Sequence, residues 1–281
     1  MDGQSWKYIF SSVTGASHSE TNMSCQDNCI CEIIEGSLGS GVLVVVASDG
    51  AGSANHAEAG SALTCSFLVE KLKIHLANGA RVRDLKRDSV ETWISELRDE
   101  IALKAEAEED LSVRDFAATL LAAVIDEDSA AFFQIGDGAI VIPGDENETY
   151  GWIFWPQQGQ YANETNFVTD QNAQQKLEFA LVNHRVDEVA VFTDGVQSLA
   201  LHYQSRQAHN PFFLSAFRWL RSAPHDRLNE FQNSLISFLN SEKINERTDD
   251  DKTLALATRL EPTSSDPRNP NNATEDRLPC L

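Results

Sequence analysis

The run VLVVVASDG at residues 42–50 decides how the rest of the chain is read. Six apolar residues in succession, four of them valine, fit a strand buried on both faces better than a half-exposed one. That strand delivers Asp49 to its C-terminal end, and Gly50 follows, a residue that lets the backbone turn sharply. The pattern recurs. FFQIGDG at 132–138 brings up Asp137, and VAVFTDG at 189–195 brings up Asp194. One Asp-Gly pair is an ordinary turn signal; three, each after a buried strand, ask for a shared reason. Asp27 directly precedes a strand pattern at 28–34, and Asp249, Asp250 and Asp251 stand before another at 253–259.

Outward from these points the chain alternates runs of strands with a few helices. Residues 6–13 read as a strand, as do 116–126, 130–142, 177–183 and 188–193. Helical spacing appears over 55–76, where Leu63, Phe67, Val69 and Leu72 form a stripe, and over 88–109, with Asp88 or Ser89 as the cap. Two more helices are expected at 211–221 and 226–241. Strands outnumber helices and follow one another directly, so the expected class is α+β, a sandwich of sheets with helices outside, not a doubly wound parallel sheet. Residues 1–262 form the expected domain, with polar 143–175 as a surface excursion. Residues 263–281, with little to bury, are expected to be a disordered tail.

The charge is strongly one-sided: 22 basic against 43 acidic residues leave a net charge of -21. Such a field repels a phosphate backbone, so nucleic acid is not an expected partner. It would repel a phosphorylated substrate equally, unless bound cations invert the local potential. No run approaches the roughly 18 to 20 apolar residues of a membrane helix, and residues 1–10 lack a secretory pattern, so a cytoplasmic chain is expected. Cys25, Cys29, Cys31, Cys65 and Cys280 read as reduced thiols, with Cys29 and Cys31 alternating along a strand.

If the aspartate-bearing strand ends converge, several carboxylates share one volume and must take up protons or bind a cation. With neither histidine nor cysteine sets nearby, the ligands are hard oxygens, which suit Mg²⁺ or Mn²⁺.

Six segments then fall in a recognisable order: SCQDN at 24–28, ASDGAGSA at 47–54, AATLLAAVI at 117–125, QIGDGAIV at 134–141, VFTDGV at 191–196 and DDKTLALA at 250–257. Together they resemble the type 2C metal-dependent (PPM) serine/threonine protein phosphatases, in their shorter bacterial branch, over residues 11–260. The resemblance implies a four-layer α-β-β-α sandwich of two antiparallel sheets. It also implies in-line hydrolysis of phosphoserine or phosphothreonine by a water bridging two Mg or Mn ions, with a third ion as a further option. By position, Asp49 matches the aspartate shared by both ions and the Gly50 carbonyl a ligand of the second. Asp194 and Asp250 match ligands of the first, and Asp27 the acid near the second. Asp137, with Asp194, matches the pair for a third ion. Asp250 is chosen over Asp251 because the family's acid lies three positions before the hydroxyl residue matched by Thr253. Thr119 matches a small residue beneath the site.

Two departures stand out. A histidine that many members use as general acid is replaced here by Ala51; losing such a group costs roughly 10² to 10⁴ in rate. The phosphate-gripping arginine is also missing, with Asn22 and Met23 in its place and His18 as the candidate substitute. These departures leave a pseudophosphatase, a binding module without turnover, as the alternative. The expected partners are phosphorylated proteins and a cognate serine/threonine kinase, and the expected state is a monomer. Trp155, Tyr161 and Phe167 in the excursion are read as packing or as substrate contacts.

Overall fold

A computed structural model describes residues 6–36, 41–108, 110–146, 148–157 and 165–260. In chain order the strands are β1 (Trp6–Val13), β2 (Asn28–Glu35), β3 (Gly41–Ser48), β4 (Leu120–Ile125), β5 (Ala130–Ile135), β6 (Ala139–Pro143), β7 (Tyr150–Trp152), β8 (Glu178–Val182), β9 (Glu188–Phe192), β10 (Leu201–His202), β11 (Gln207–Ala208) and β12 (Lys252–Arg259). The α-helices are α1 (Ala16–Glu20), α2 (Ala57–Ala77), α3 (Arg87–Glu106), α4 (Ala173–Lys176), α5 (Gln197–Ala200), α6 (Asn210–Ser222), α7 (Leu228–Leu239) and α8 (Glu242–Asn245). One five-stranded sheet runs β1-β12-β9-β6-β7 and the other β2-β3-β4-β5-β8, with every neighbouring pair antiparallel.

Side-chain alternation along β3 explains the layering. Val42, Val44 and Val46 face the helices, packing in one core with Leu68 and Leu72 of α2 and Ile94 and Leu97 of α3. Leu43, Val45 and Ala47 face the other sheet and share a core with Ile140, Val191, Ala255 and Ala257. The far face of that second sheet, with Ile9, Phe192, Leu254 and Leu256, is covered by Phe213, Phe217 and Leu220 of α6 and Leu235 and Leu239 of α7. Full burial of each such side chain is worth about 1.5–3 kcal/mol, so both outer helical layers are held mainly by these contacts. The result is the expected α-β-β-α sandwich.

Several local expectations change. Residues 130–142 are two strands lying in different sheets, β5 in one and β6 in the other. The chain crosses between the sheets at 136–138, where Gly136 has φ +117 and a Cβ would sit 2.6 Å from the Thr119 side chain. The glycines of the three Asp-Gly pairs act by size instead, since among the described residues only Gly79 and Gly136 are glycines with positive φ. At Gly195, a Cβ would lie 1.9 Å from the Asp251 carbonyl oxygen. Helix α3 begins at Arg87 with Lys86 as an extended N-cap that makes no side-chain cap. Asp88 therefore lies inside the first turn, where its charge opposes the helix dipole. Of the strand expected over 116–126, Phe116 closes a 3-10 turn, Val113–Phe116, and β4 begins only at Leu120. The excursion contains β7 and most of α4; Tyr161 and the tail 263–281 lie outside the described residues.

Candidate metal centre and its cleft

Four aspartates meet where the strands of the two sheets end. Asp49, Asp137, Asp194 and Asp250 all line one open cleft of ≈ 680 Å³, together with His18, Gln26 and Gly50. Carboxylate oxygens of Asp49, Asp137 and Asp194 lie within 4.8 Å of one another. Asp27 is buried just behind them.

Each acid is placed by a specific local device. The Asp49 backbone is pinned to the start of β4: its N–H donates to Thr119 Oγ1 at 2.9 Å and its carbonyl accepts the Thr119 N–H at 2.8 Å. Thr119 thus has a structural role beneath the site. Asp137 rides on the sheet crossover, and Gln197 donates from its side chain to the Asp137 carbonyl. Asp194 follows β9 in a tight 3-10 turn. Asp27 Oδ2 accepts the hydroxyls of Thr193 and Thr253, each at 2.7 Å. These two bonds reach across the seam, joining the end of the β1 sheet to the residue that opens β2.

The charges are not neutralised by the protein. Asp27 Oδ1, Asp137 Oδ1 and Asp194 Oδ1 are buried without a hydrogen-bond partner. Burial first, then Asp137, Asp250 and Asp27, pushes the Asp194 carboxyl up to about 8. Asp27 is raised to about 6 by burial, with the Thr193 and Thr253 hydroxyls opposing. Asp49 is held well above its ordinary range by burial and then by Asp27, Asp194 and Asp250. Crowded acids with oxygens aimed at no donor fit a hard divalent cation, whose charge would reverse these shifts.

Asp251 is different. Although adjacent to Asp250, it is 2% exposed and accepts the N–H groups of Gly15 and Gln26, each at 2.6 Å, and His18 Nδ1 at 3.0 Å. Its oxygens are saturated by the fold, whereas Asp250 stands at the exposed lip of the cleft. Of the two neighbours, Asp250, the one matched to a ligand by resemblance, is the acid that lines the cleft. The anchoring of Asp251 was not visible in the sequence, because Gly15 and Gln26 are remote in the chain. The same contact places His18 at the cleft with one ring nitrogen engaged.

Of the excursion residues, Trp155 stacks edge-on against Trp152 and Tyr203, at centroid distances of 5.6 Å and 5.3 Å. Phe167 packs beside Ala54, Ala57 and Ala117 and also lines the cleft. Cys25, Cys29, Cys31 and Cys65 are free thiols, and burial pushes those of Cys31 and Cys65 well up.

With this geometry in place, comparison with known proteins is informative. Residues 14–240 match the family model for protein phosphatase 2C. The chain is 36% identical over 255 residues to serine/threonine-protein phosphatase 3 of Escherichia coli K12, covering 90% of this chain and 98% of that protein. Among solved structures, the phosphatase Stp1 from Staphylococcus aureus superposes with a TM-score of 0.57 at 14% identity, covering 91% of this chain and 95% of that one. The catalytic domain of PstP, solved with two manganese ions, gives 0.56 at 14% identity, covering 91% and 99%. These likenesses confirm the fold, and the first two establish the lineage. The chain belongs to the protein phosphatase 2C family.

Proposed function

We infer that this chain is a metal-dependent serine/threonine protein phosphatase whose metal centre is the aspartate cluster. The observation that carries the reading is the meeting of Asp49, Asp137 and Asp194 oxygens within 4.8 Å, with buried oxygens left unpartnered, on a cleft open to a protein substrate. The proposed ligand set is Asp49 for both of two ions, Asp194 and Asp250 for one, the Gly50 carbonyl and Asp27 for the other. Asp137 with Asp194 would serve a third. Bound Mg²⁺ or Mn²⁺ would supply a water activated near neutral pH and positive charge for the phosphoryl oxygens. The protein's own part is to hold these oxygens in place. Thr119 fixes the Asp49 backbone, and Thr193 and Thr253 orient Asp27.

His18 is assigned to substrate binding. Its Nδ1 is engaged by Asp251, which leaves Nε2 as the nitrogen a phosphoryl oxygen can meet. Ala51 offers no proton donor, so no side chain takes the position of the general acid found in many relatives. The enzyme is proposed to act as a monomer. Phosphoproteins are the substrates, and a cognate serine/threonine kinase that makes them is the proposed partner. Among the described residues no helix is long and apolar enough to cross a membrane, in keeping with the proposed cytoplasmic location.

The test is release of phosphate from phosphoserine and phosphothreonine peptides with Mn²⁺ or Mg²⁺ added. Turnover that needs the metal and stops in excess chelator is the expected result. Metal binding without turnover would instead identify a binding module, and unchanged turnover in chelator would remove the aspartate cluster from the chemistry.

A further inference from the structure

A phosphorylated substrate entering this cleft meets Asp49, Asp137, Asp170, Asp194 and Asp250. Metal ions offset part of that field, but a phosphoryl dianion still needs a positively charged group to hold it in one orientation. Apart from His18, the basic residues lining the cleft are Arg114 and Lys176.

Arg114 lies in the 3-10 turn Val113–Phe116, and that turn is tied closely to the loop carrying Asp49. The Asp115 carboxylate accepts from Ser112 N–H at 2.9 Å, Ser112 O–H at 2.7 Å and Asn55 Nδ2 at 2.7 Å. The Asp115 carbonyl accepts the His56 N–H at 2.8 Å, and the Ala117 carbonyl accepts the Ala51 N–H at 2.9 Å. A bridge between Gly50 and Ala118 completes the ladder. Neighbouring Asp115 is thus committed to backbone and amide partners. The Arg114 guanidinium makes no ion pair or hydrogen bond among the described residues, and its side chain is exposed to the cleft. Lys176, at the end of α4, is placed by Gln157, which donates to the Lys176 carbonyl at 2.7 Å and accepts the Gly136 N–H at 2.9 Å. Its ammonium likewise has no ion pair among the described residues.

We propose that Arg114 is the phosphate-orienting residue of this enzyme, with Lys176 as a weaker second cation on the same cleft. A guanidinium presents a planar fork that can take two phosphoryl oxygens at once, and it stays charged at any working pH. Lys176 adds a point charge without that directionality. The inference rests on the phosphatase reading above.

The decisive substrate is p-nitrophenyl phosphate, which carries the phosphoryl group and no peptide. In the Mn²⁺-loaded enzyme, Arg114→Ala and the length-preserving Arg114→Gln should raise KM for this ester by about 10- to 100-fold, the range of a lost charge-assisted hydrogen-bond pair. The loss should fall in KM rather than in kcat. Calorimetric titration with inorganic phosphate should show a matching loss of affinity. Arg114→Lys should fall between wild type and Arg114→Ala, and Lys176→Ala should produce a smaller rise. If the aryl ester and inorganic phosphate bind both neutral variants as they bind wild type, the proposal is wrong. A KM rise confined to phosphopeptides overturns it equally, since Arg114 would then be contacting peptide carboxylates. A wild-type chain that hydrolyses neither ester nor peptide refutes the phosphatase reading itself, a result distinct from an active enzyme indifferent to Arg114.

Discussion

Strand β9 starts on a buried acid and leads into a half-buried one just past its end, and the two behave in opposite ways. At its start, Glu188 is 6% exposed and accepts the Tyr150 hydroxyl at 2.6 Å, the Thr258 hydroxyl at 3.1 Å and the Arg221 guanidinium. Just past its other end, Asp194 keeps a buried oxygen with no partner and faces four further carboxylates, those of Asp27, Asp49, Asp137 and Asp250. The fold can saturate a buried acid, and at one end of the sandwich it does so. At the other it leaves the oxygens open, at a cost in repulsion that a cation removes. Partnership, more than depth of burial, separates a structural acid from a ligand.

The sharpest test exchanges one acid at each end. Asp49→Asn removes the charge proposed to be shared by both ions, and turnover should fall by at least about 10²-fold, the scale of a lost electrostatic stabiliser. The metal-free variant should melt at or above the wild-type temperature, because repulsion is relieved. Glu188→Gln should do the reverse. Turnover should persist, while stability drops by about 1–3 kcal/mol as Arg221, Thr258 and Tyr150 lose a charged acceptor. Denaturant melts and steady-state assays on the two variants would collapse the distinction if both lost activity or both lost stability.

The same contrast recurs between neighbours at the start of β12. Asp250→Asn should weaken Mn²⁺ binding and turnover with little change in melting. Gly15 and Gln26 donate to different oxygens of Asp251, so Asp251→Asn must set its amide N–H₂ against one of these N–H groups and should cost about 1–3 kcal/mol of stability. Its three hydrogen-bond partners make Asp251→Asn the more destabilising of the two. A wild-type melting temperature for Asp251→Asn would show that its hydrogen bonds are dispensable.

The smallest effect is on pH. Asp27 and Asp194 have pKa values raised in the folded, metal-free chain to about 6 and about 8. A carboxylate raised on folding holds its proton more tightly in the native state, so its contribution is complete below the unfolded value near 4 and is lost as pH rises through the folded value. The metal-free protein should therefore melt higher at pH 5 than at pH 8.5, by a few degrees, at about 2–4 °C per kcal/mol for a domain of this size. Saturating Mn²⁺ should remove or reverse the trend, since cation binding competes with protons. Thermal melts across this range, with and without metal, check the sign; a metal-free chain that gains stability with pH contradicts the repulsive cluster.

Much of this was readable before any coordinates. The two-sided burial of β3 follows from its unbroken apolar run, and the three Asp-Gly endings marked the cleft because each aspartate follows a buried strand. The sheet switch at 136–138 was hidden, since β5 and β6 are both apolar and only the Gly-Asp-Gly between them marks the break. The roles of Asp251 and of the Thr193 and Thr253 hydroxyls depend on partners 166 to 236 residues away. Local pattern carries no trace of such distant pairing. The turn bearing Arg114 has no marker in the sequence, which places an expected strand from Phe116 onward and leaves the residues just before it unassigned.

The acids of the cleft do not share a platform. Asp49 extends from β3 in one sheet, Asp194 and Asp250 flank β9 and β12 in the other, and Asp137 sits on the link between them. The site is thus a caliper closed across the sandwich, and its aperture is set by the interlayer packing of Val45, Phe132, Ile140 and Val191. A change of side-chain volume there, remote from every carboxylate, should shift the spacing of the acids across the cleft, so the gap between them is a mechanical property of the core.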